Sequence, residues 1–405
     1  MPTESGNISV NQEVPQMSFA RLPACRRSRT VFLASPYGQA GGGMGSFMRY
    51  LLARGGDDEG RFRFRALDTR GNLSLAFSPI LLAWALLRIA AGRLSGTLAL
   101  VHVNLAERGS VVRKGALLAW AKLLGVPVVL HLHAAQLMAH YYRLPSPMRR
   151  LVRAMFRAAD ECIVLGTIWS DWLTGEMGVP PARVHVIYNG IPDMGVRRPP
   201  GARQGPLRLL FLGNLLQRKG LTDLLAALSR ADLSALDWNL TVAGGGDINF
   251  YRSEAERRGI GPRVRFTGWV DHAAVRQCLA NADTLILPSY DEGLPLVILE
   301  ALATGVPVIC SPVGSIPEVL QDGHTALLVP AGDIKGLADC IMRLAGNPGL
   351  QESLAAAGRE LYERLFTMET FAARVATLHT ELDEARHGRR RRSARTRAEQ
   401  PTVRA

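Results

Sequence analysis

The chain has 405 residues, 47% hydrophobic and 20% charged, which suits two ordinary domains with sizeable cores and excludes a disordered or fibrous protein. Its net charge is +13, and residues 386–405, with eight arginines against one glutamate, contribute +7 of it. Such a run without apolar periodicity reads as a solvated, disordered tail, able to meet anionic lipid; nucleic acid is not an expected partner. The cysteines at 25, 162, 278, 310 and 340 show no C-x-x-C spacing, so buried free thiols and a reducing cytoplasm are expected. No basic, apolar and small-residue succession marks a signal peptide at the start.

Residues 1–28 read as a disordered N-terminus. TVFLA (30–34) is the first strand, followed by PYGQAGGGMGS and a helix from Phe47. A glycine-rich loop there, centred on Gly43, lets backbone N–H groups approach a phosphate. It departs from the dinucleotide fingerprint, because Ser46 stands at the third glycine position counted from Gly41. Asp68, ending the strand FRFRAL, could still imitate the ribose-binding acid of a nicotinamide site. Residues 73–91 form the most apolar stretch, but Pro79 and Arg88 interrupt it. It reads as a buried helix of an α/β domain, with a membrane span as the alternative.

LALVHVNL (98–105) is another strand, with Asn104 at its carboxyl end. The helix after it carries Arg113 and Lys114 at its start, where basic charge opposes the dipole. A polyanionic acceptor would give them a use; solvated charge is the alternative. VPVVLHL (126–132) delivers His131 and His133 to one face, by the two-residue period of a strand. No third ligand with sensible spacing accompanies them, so no metal site is read. From Ser146 the pattern is that of a basic amphipathic helix, which either lies on an anionic membrane or packs on the domain with snorkelling arginines. The first domain is read as 29–192 and a Pro/Gly/Arg-rich linker as 193–206.

The second domain, 207–365, opens with LRLLFLGNLLQRKGL. Lys219 sits where a compact cation can neutralise phosphate charge. Strands follow at 240–246 and 264–270. The segment 284–333 then reads strand, loop, helix, strand, loop, helix, strand. Glu292 and Gly293 fall in its first loop, Pro295 suits the first helical position, and Gly305 ends the helix. Amides from Gly293 through Leu294 to Leu296 make that helix start an anion site. Glu300 lies two turns into the helix. A loop carboxylate for sugar hydroxyls, a helix start for phosphate and a helical carboxylate for a ribose diol make one nucleotide-sugar site.

EGLPLVILEALATGVPVI followed by VGSIPE resembles the Glu-x7-Glu signature of retaining glycosyltransferases of family 4, which have the GT-B fold. That resemblance, spanning roughly residues 30–380, implies an α/β protein with two Rossmann-like domains facing across a cleft. It also implies a C-terminal helix, 366–385, crossing back to the first domain, with 386–405 as the basic tail. It implies that His133 approaches the transferred sugar and that Glu292 and Glu300 hold sugar and ribose. Gly213 and Lys219 match the family's diphosphate contacts. Asn214 stands where the family often has arginine, and Arg218 is the candidate substitute. The glycine loop at Gly43 would face the diphosphate.

The expected activity is retaining transfer of a hexosyl group from a UDP- or GDP-sugar to a glycan or polyprenyl-diphosphate-linked acceptor. Attack from the front face, with no metal and no cofactor, is expected. Asn104, Arg113 and Lys114 are the acceptor candidates, and the place is the cytoplasm, peripheral on the inner membrane face. The alternatives are a nucleotide-sugar epimerase or hydrolase on the same fold, a nicotinamide enzyme, and a non-enzymatic polyanion- or membrane-binding protein.

Overall fold

The computed structural model describes residues 28–36, 42–71, 78–106, 109–133, 135–197 and 205–398. Parts of five expectations lie outside them: residues 1–27 of the N-terminus, 37–41 of the glycine-rich segment, 73–77 of the apolar stretch, 198–204 of the linker, and 399–405 of the tail.

The first half alternates β1 (Arg29–Ala34), α1 (Gly42–Ala53), β2 (Phe62–Leu67), α2 (Ser78–Leu94), β3 (Leu98–Leu105), α3 (Gly109–Leu123) and β4 (Val128–Leu132). It continues with α4 (Leu137–Tyr142), α5 (Ser146–Ala158), β5 (Glu161–Val164), α6 (Thr167–Gly175) and β6 (Val184–Val186). The strands form one parallel sheet in the order β2-β1-β3-β4-β5-β6. β3 and β4 are buried along their whole length, which explains why their sequences are apolar runs and not alternating ones. One core lies between the sheet and α2, α3 and α5, built on residues such as Ile89, Leu117 and Phe156. The other face carries Phe47, Met48 and Leu51 of α1.

The second half runs β7 (Leu207–Leu212), α7 (Leu221–Leu228), β8 (Trp238–Ala243), α8 (Ile248–Arg257), β9 (Val264–Gly268), α9 (His272–Asn281) and β10 (Thr284–Leu287). It ends with α10 (Leu296–Thr304), β11 (Val308–Cys310), α11 (Ile316–Val319), β12 (Leu327–Leu328), α12 (Ile334–Ala345), α13 (Pro348–Leu365) and α14 (Met368–Ala398). Its sheet is parallel too, in the order β12-β11-β10-β7-β8-β9. Two doubly wound domains with a returning C-terminal helix are therefore the architecture, as the resemblance implies. Cys162 and Cys310 are buried free thiols, and Cys278 and Cys340 are free and half-buried.

The return of the chain is anchored at Ile191. Its N–H donates to Phe366 O (2.9 Å), its carbonyl accepts from Met368 N (3.0 Å) and from the Tyr362 hydroxyl (3.1 Å). α14 then lays Phe371, Val375 and Leu378 on the α1 side of the first sheet, with Phe371 edge-on to Phe47 at 4.7 Å. Arg386 donates to Ala99 O (3.2 Å).

Three expectations are corrected here. The arginine-rich tail from 386 is not irregular as far as Ala398: the backbone continues α14, because alanine and arginine are strong helix formers and the helix is already nucleated. α1 starts at Gly42, so Gly43 belongs to a helical first turn and not to a loop; docking of Phe47, Met48 and Leu51 outweighs the poor helix propensity of glycine. The helix of the apolar stretch is not buried all round: α2 buries Ala85 and Ile89 and leaves Ile80, Trp84, Leu87 and Leu94 exposed.

Candidate active site

The carboxyl ends of both sheets converge on a cleft of about 690 Å³, lined from both domains, a size suited to a small-molecule ligand. The loop after β10 and the first turn of α10 form its centre. Pro295 is the N-cap of α10 (φ −67°, ψ 128°) and not its first helical residue, a shift of one position. Gly305 ends the helix at φ 69°. The amides of the first turn have no carbonyl within the helix to meet, and the cleft is lined there by Gly293, Leu294, Pro295, Leu296 and Val297.

Glu292 is 6% exposed. Its Oε1 accepts from Lys219 Nζ in a close ion pair and from Ser289 Oγ at 2.8 Å. Arg218 Nη1 lies 3.8 Å from Oε2 and donates to Asp291 O (2.6 Å). Two glycines make this approach feasible. Gly220 sits at φ 71°, and a side chain there would meet Pro288 O at 2.0 Å, so the Lys219 turn can press on the Glu292 loop. Gly314 of VGSIPE sits at φ 58°, and a side chain there would meet Glu292 O at 2.0 Å, so only glycine lets the second loop pack behind the first.

Glu300 is 5% exposed, lines the cleft, and has its carboxyl pushed up to about 8 by burial alone. It is a desolvated acid facing the cavity. Gly213, at the end of β7, lines the same wall, and Asn214 stands beside it.

From the first domain comes His133, with Met44, Arg49, Ala135, Leu165 and Asn189. His133 Nε2 lies 2.9 Å from Asn104 Oδ1, while Asn104 Nδ2 faces Met48 Sδ at 3.0 Å. A carbonyl oxygen only accepts, so Nε2 carries the proton and Nδ1 is left as an acceptor. Burial, helped by His102, pushes the imidazole down to about 3: it works as a neutral ring. Behind it His131 stacks at 3.9 Å between ring centres, His131 Nδ1 lies 3.2 Å from His102 Nε2, and His102 Nδ1 lies 3.1 Å from His379 Nε2 of α14. Those three rings are fully buried, so His131 is structural.

The acceptor candidates are rearranged. Asn104 is fully buried and serves His133 from behind; it is no surface group. Lys114 is 1% exposed, its ammonium has no hydrogen-bond partner among the described residues, and burial, with Arg113 alongside, pushes it down to about 7. It and Arg113 are outside the cleft lining; Lys114 falls on the buried face of α3 with Ser110, Leu117, Leu118 and Ala121. Asp68 Oδ1 accepts from Arg70 N (2.8 Å) and Gly71 N (2.9 Å). It closes its own turn, so one support of the nicotinamide reading is spent within the chain; the other, the loop at Gly41, lies outside the described residues.

The sequence passed over Ser289, Arg49, Trp269 and His272. Trp269 and His272 line the cleft, and His272 Nδ1 meets the Tyr50 hydroxyl of α1 at 3.1 Å across it. A second bridge is the carboxylate of Glu318, which accepts from Thr167 N (2.7 Å) and Ile168 N (3.2 Å) and so caps α6 of the opposite domain. The VGSIPE motif was visible, but nothing in it names a partner 150 residues away.

Residues 18–190 match the glycosyl transferase 4-like domain, and residues 196–361 match the glycosyl transferases group 1. The chain is 31% identical over 271 residues to a glycogen synthase of Mycobacterium tuberculosis, covering 65% of each; it thus spans less than two thirds of that relative's length. It is 24% identical over 282 residues to the alpha-D-kanosaminyltransferase of Streptomyces kanamyceticus, covering 65% of this chain and 72% of that one. Among solved structures, sucrose-phosphate synthase from Thermosynechococcus elongatus superposes with a TM-score of 0.70 at 22% identity, over 88% of this chain and 100% of that one. HepE of Anabaena, solved in complex with UDP and glucose, superposes with a TM-score of 0.68 at 16% identity, over 87% and 100%.

Proposed function

The chain belongs to the GT-B glycosyltransferases of family 4, and from that premise we propose that it moves a hexosyl group from a nucleoside-diphosphate sugar to a glycan or polyprenyl-diphosphate-linked acceptor, with retention of configuration. The observation that carries this reading is the convergence of Glu292, Lys219, Glu300, the α10 start and His133 on one cleft. Lys219, Arg218 and the α10 amides neutralise the diphosphate as the bond from the sugar's anomeric carbon to its oxygen breaks. Glu292 accepts from sugar hydroxyls, and His133 Nδ1 accepts from another. The acceptor oxygen bonds to the anomeric carbon on the face the diphosphate leaves, and the leaving oxygen takes the acceptor's proton. A UDP- or GDP-sugar is the donor, in line with the UDP and glucose bound by HepE. The charges this chain supplies carry the step without metal or cofactor.

Arg113 and Lys114 are not among the residues lining the cleft, and Lys114 is 1% exposed, so neither is assigned to the acceptor. A place on the inner membrane face suits a lipid-linked acceptor; among the described residues no helix is long and apolar enough to cross a membrane. The test is product formation with and without a lipid-linked or glycan acceptor. Glycoside formed only with acceptor, its new bond of the donor's anomeric configuration, supports transfer with retention. Free sugar or an epimerised donor formed without acceptor moves the chain to the hydrolase or epimerase class.

Glu300 adds a prediction. A ribose diol donates two hydroxyls to it and so favours the carboxylate, drawing its proton off below about 8. Nucleotide binding at pH 7 is therefore expected to release a proton, and affinity to rise with pH until about 8 and then level off. Calorimetry in two buffers of different ionisation enthalpy reads the release. Equal heats in both buffers, with an affinity flat from pH 6 to 9, contradict it.

A further inference from the structure

The outer face of the first domain carries apolar stripes on adjacent helices. On α2 the exposed residues Ile80, Trp84, Leu87 and Leu94 follow the spacing of one helix side; Trp84 is 60% and Leu94 87% exposed. On α3, Val112 and Leu123 lie eleven residues apart, about three turns, and are 75% and 77% exposed. On α5, Met148 and Leu151 are exposed as well. α2 and α3 run side by side, tied by Trp120 Nε1 donating to Leu86 O (3.0 Å) and Arg93 Nε to Leu124 O (3.0 Å). α5 closes on α3 where Gly115 meets Met155. Single exposed apolar side chains are ordinary, but several on neighbouring helices that contact one another make an apolar surface, and such surfaces mark contact sites.

Charge selects the occupant. α2, α3 and α5 contain no acidic residue; Lys114 is buried and Lys122 is paired with Asp160 at 2.7 Å, so the positive charge of the face comes from its arginines, Arg149 and Arg150 of α5 foremost. A second copy docking by the same face would set like charges against each other, whereas an anionic bilayer complements both the charge and the apolar stripe. The basic amphipathic helix of the sequence is only the rim of this surface. α5 buries Val152, Met155 and Phe156, and its Arg153 is engaged with Glu176 and with the Tyr141 hydroxyl (2.9 Å).

We propose that the α2–α3–α5 face docks the protein on an anionic phospholipid bilayer. Ile80, Trp84, Leu87, Leu94 and Leu123 enter the boundary between headgroups and acyl chains, and the arginines meet the headgroups. α2 and α3 begin at the carboxyl ends of their strands, the edge that also bears the cleft, so docking sets the mouth of the cleft beside the membrane. The inference deepens the lipid-linked acceptor reading in its purpose, but the docking itself is independent of transfer.

The experiment is co-sedimentation of the full chain with phosphatidylcholine vesicles with and without phosphatidylglycerol. Two paired variants are compared with the parent, Trp84→Gln with Leu87→Gln, and Leu94→Gln with Leu123→Gln. All four positions are solvent-exposed, melting temperatures verify folding, and the second pair stands should the first not fold. The parent is expected on the anionic vesicles only, and each pair is expected to weaken that binding roughly tenfold or more, from the apolar burial lost. Unchanged binding in both pairs, carried then by the arginine-rich C-terminal segment, overturns the proposal. So do equal binding to neutral vesicles and a parent that is dimeric in solution and made monomeric by the substitutions. Vesicle binding without any glycosyl transfer sinks the proposed function and leaves docking in place; transfer by a chain that ignores vesicles does the reverse.

Discussion

Lys219→Ala is expected to lower kcat/KM by a factor on the order of 10²–10³, the range for removing one preorganised group from developing charge in a water-poor site. Lys219 is the ion-pair partner of a carboxylate that is 6% exposed. Its loss removes the diphosphate's nearest cation and also leaves Glu292 with Ser289 at 2.8 Å and Arg218 at 3.8 Å. An uncompensated buried carboxylate then takes up a proton or repels the incoming diphosphate. Both effects act on donor binding and on turnover, so KM is expected to rise as kcat falls. Lys219→Arg restores the charge but not the compact fit between the Gly220 turn and the Glu292 loop, and only part of the activity is expected back. Steady-state kinetics on the three proteins checks this. An alanine variant within about threefold of the parent, well short of the expected range, would remove Lys219 from the site.

His133→Ala has the second large effect, of a different kind. His133 belongs to the first domain, away from the wall formed by Gly213, Lys219 and Glu300. Nucleotide affinity is expected to stay near that of the parent while kcat falls about 10²-fold, the scale on which misplacing a reacting group acts. Asn104→Leu tests the support behind the ring. It removes the acceptor that fixes the tautomer at 2.9 Å, and its kcat is expected to fall part of the way with donor KM unchanged. Burial holds the ring neutral, so this loss is expected to be the same from pH 6 to 9. Equal losses of nucleotide affinity in both variants would assign His133 to the fold and not to the sugar.

The lining of the cleft was legible where punctuation is strong. EGLPLVILEALATG carries its own start and stop, and the structure moves Pro295 by a single position. His133 and Lys219, placed by the resemblance at a strand end and in a Lys-Gly pair, do line the cleft, because a short stretch of chain determines such positions. Asn104 and Lys114 were not legible as they stand. Each is a polar residue at the end of an element, and only tertiary packing decides whether such a group faces the cleft or the interior. α1 shows the same limit from the other side. Its glycines speak for a loop, and the helix exists because Phe47, Met48 and Leu51 are wanted on the sheet. In α2 almost every residue is apolar, so periodicity could not separate the buried side from the exposed one. Glu318 reaches Thr167 across 151 positions, and no local pattern announces such a contact.

The central claim is that the Glu292–Glu300 segment binds a nucleoside-diphosphate sugar. Binding of UDP-, GDP- and ADP-sugars to the parent and to Glu300→Ala, measured by calorimetry, tests it most directly. One nucleotide class is expected to bind the parent at micromolar Kd, with the affinity lost in the variant while its melting temperature is kept. Absence of binding by every donor, or equal binding to both proteins, would contradict the claim and leave a GT-B fold whose cleft serves another ligand.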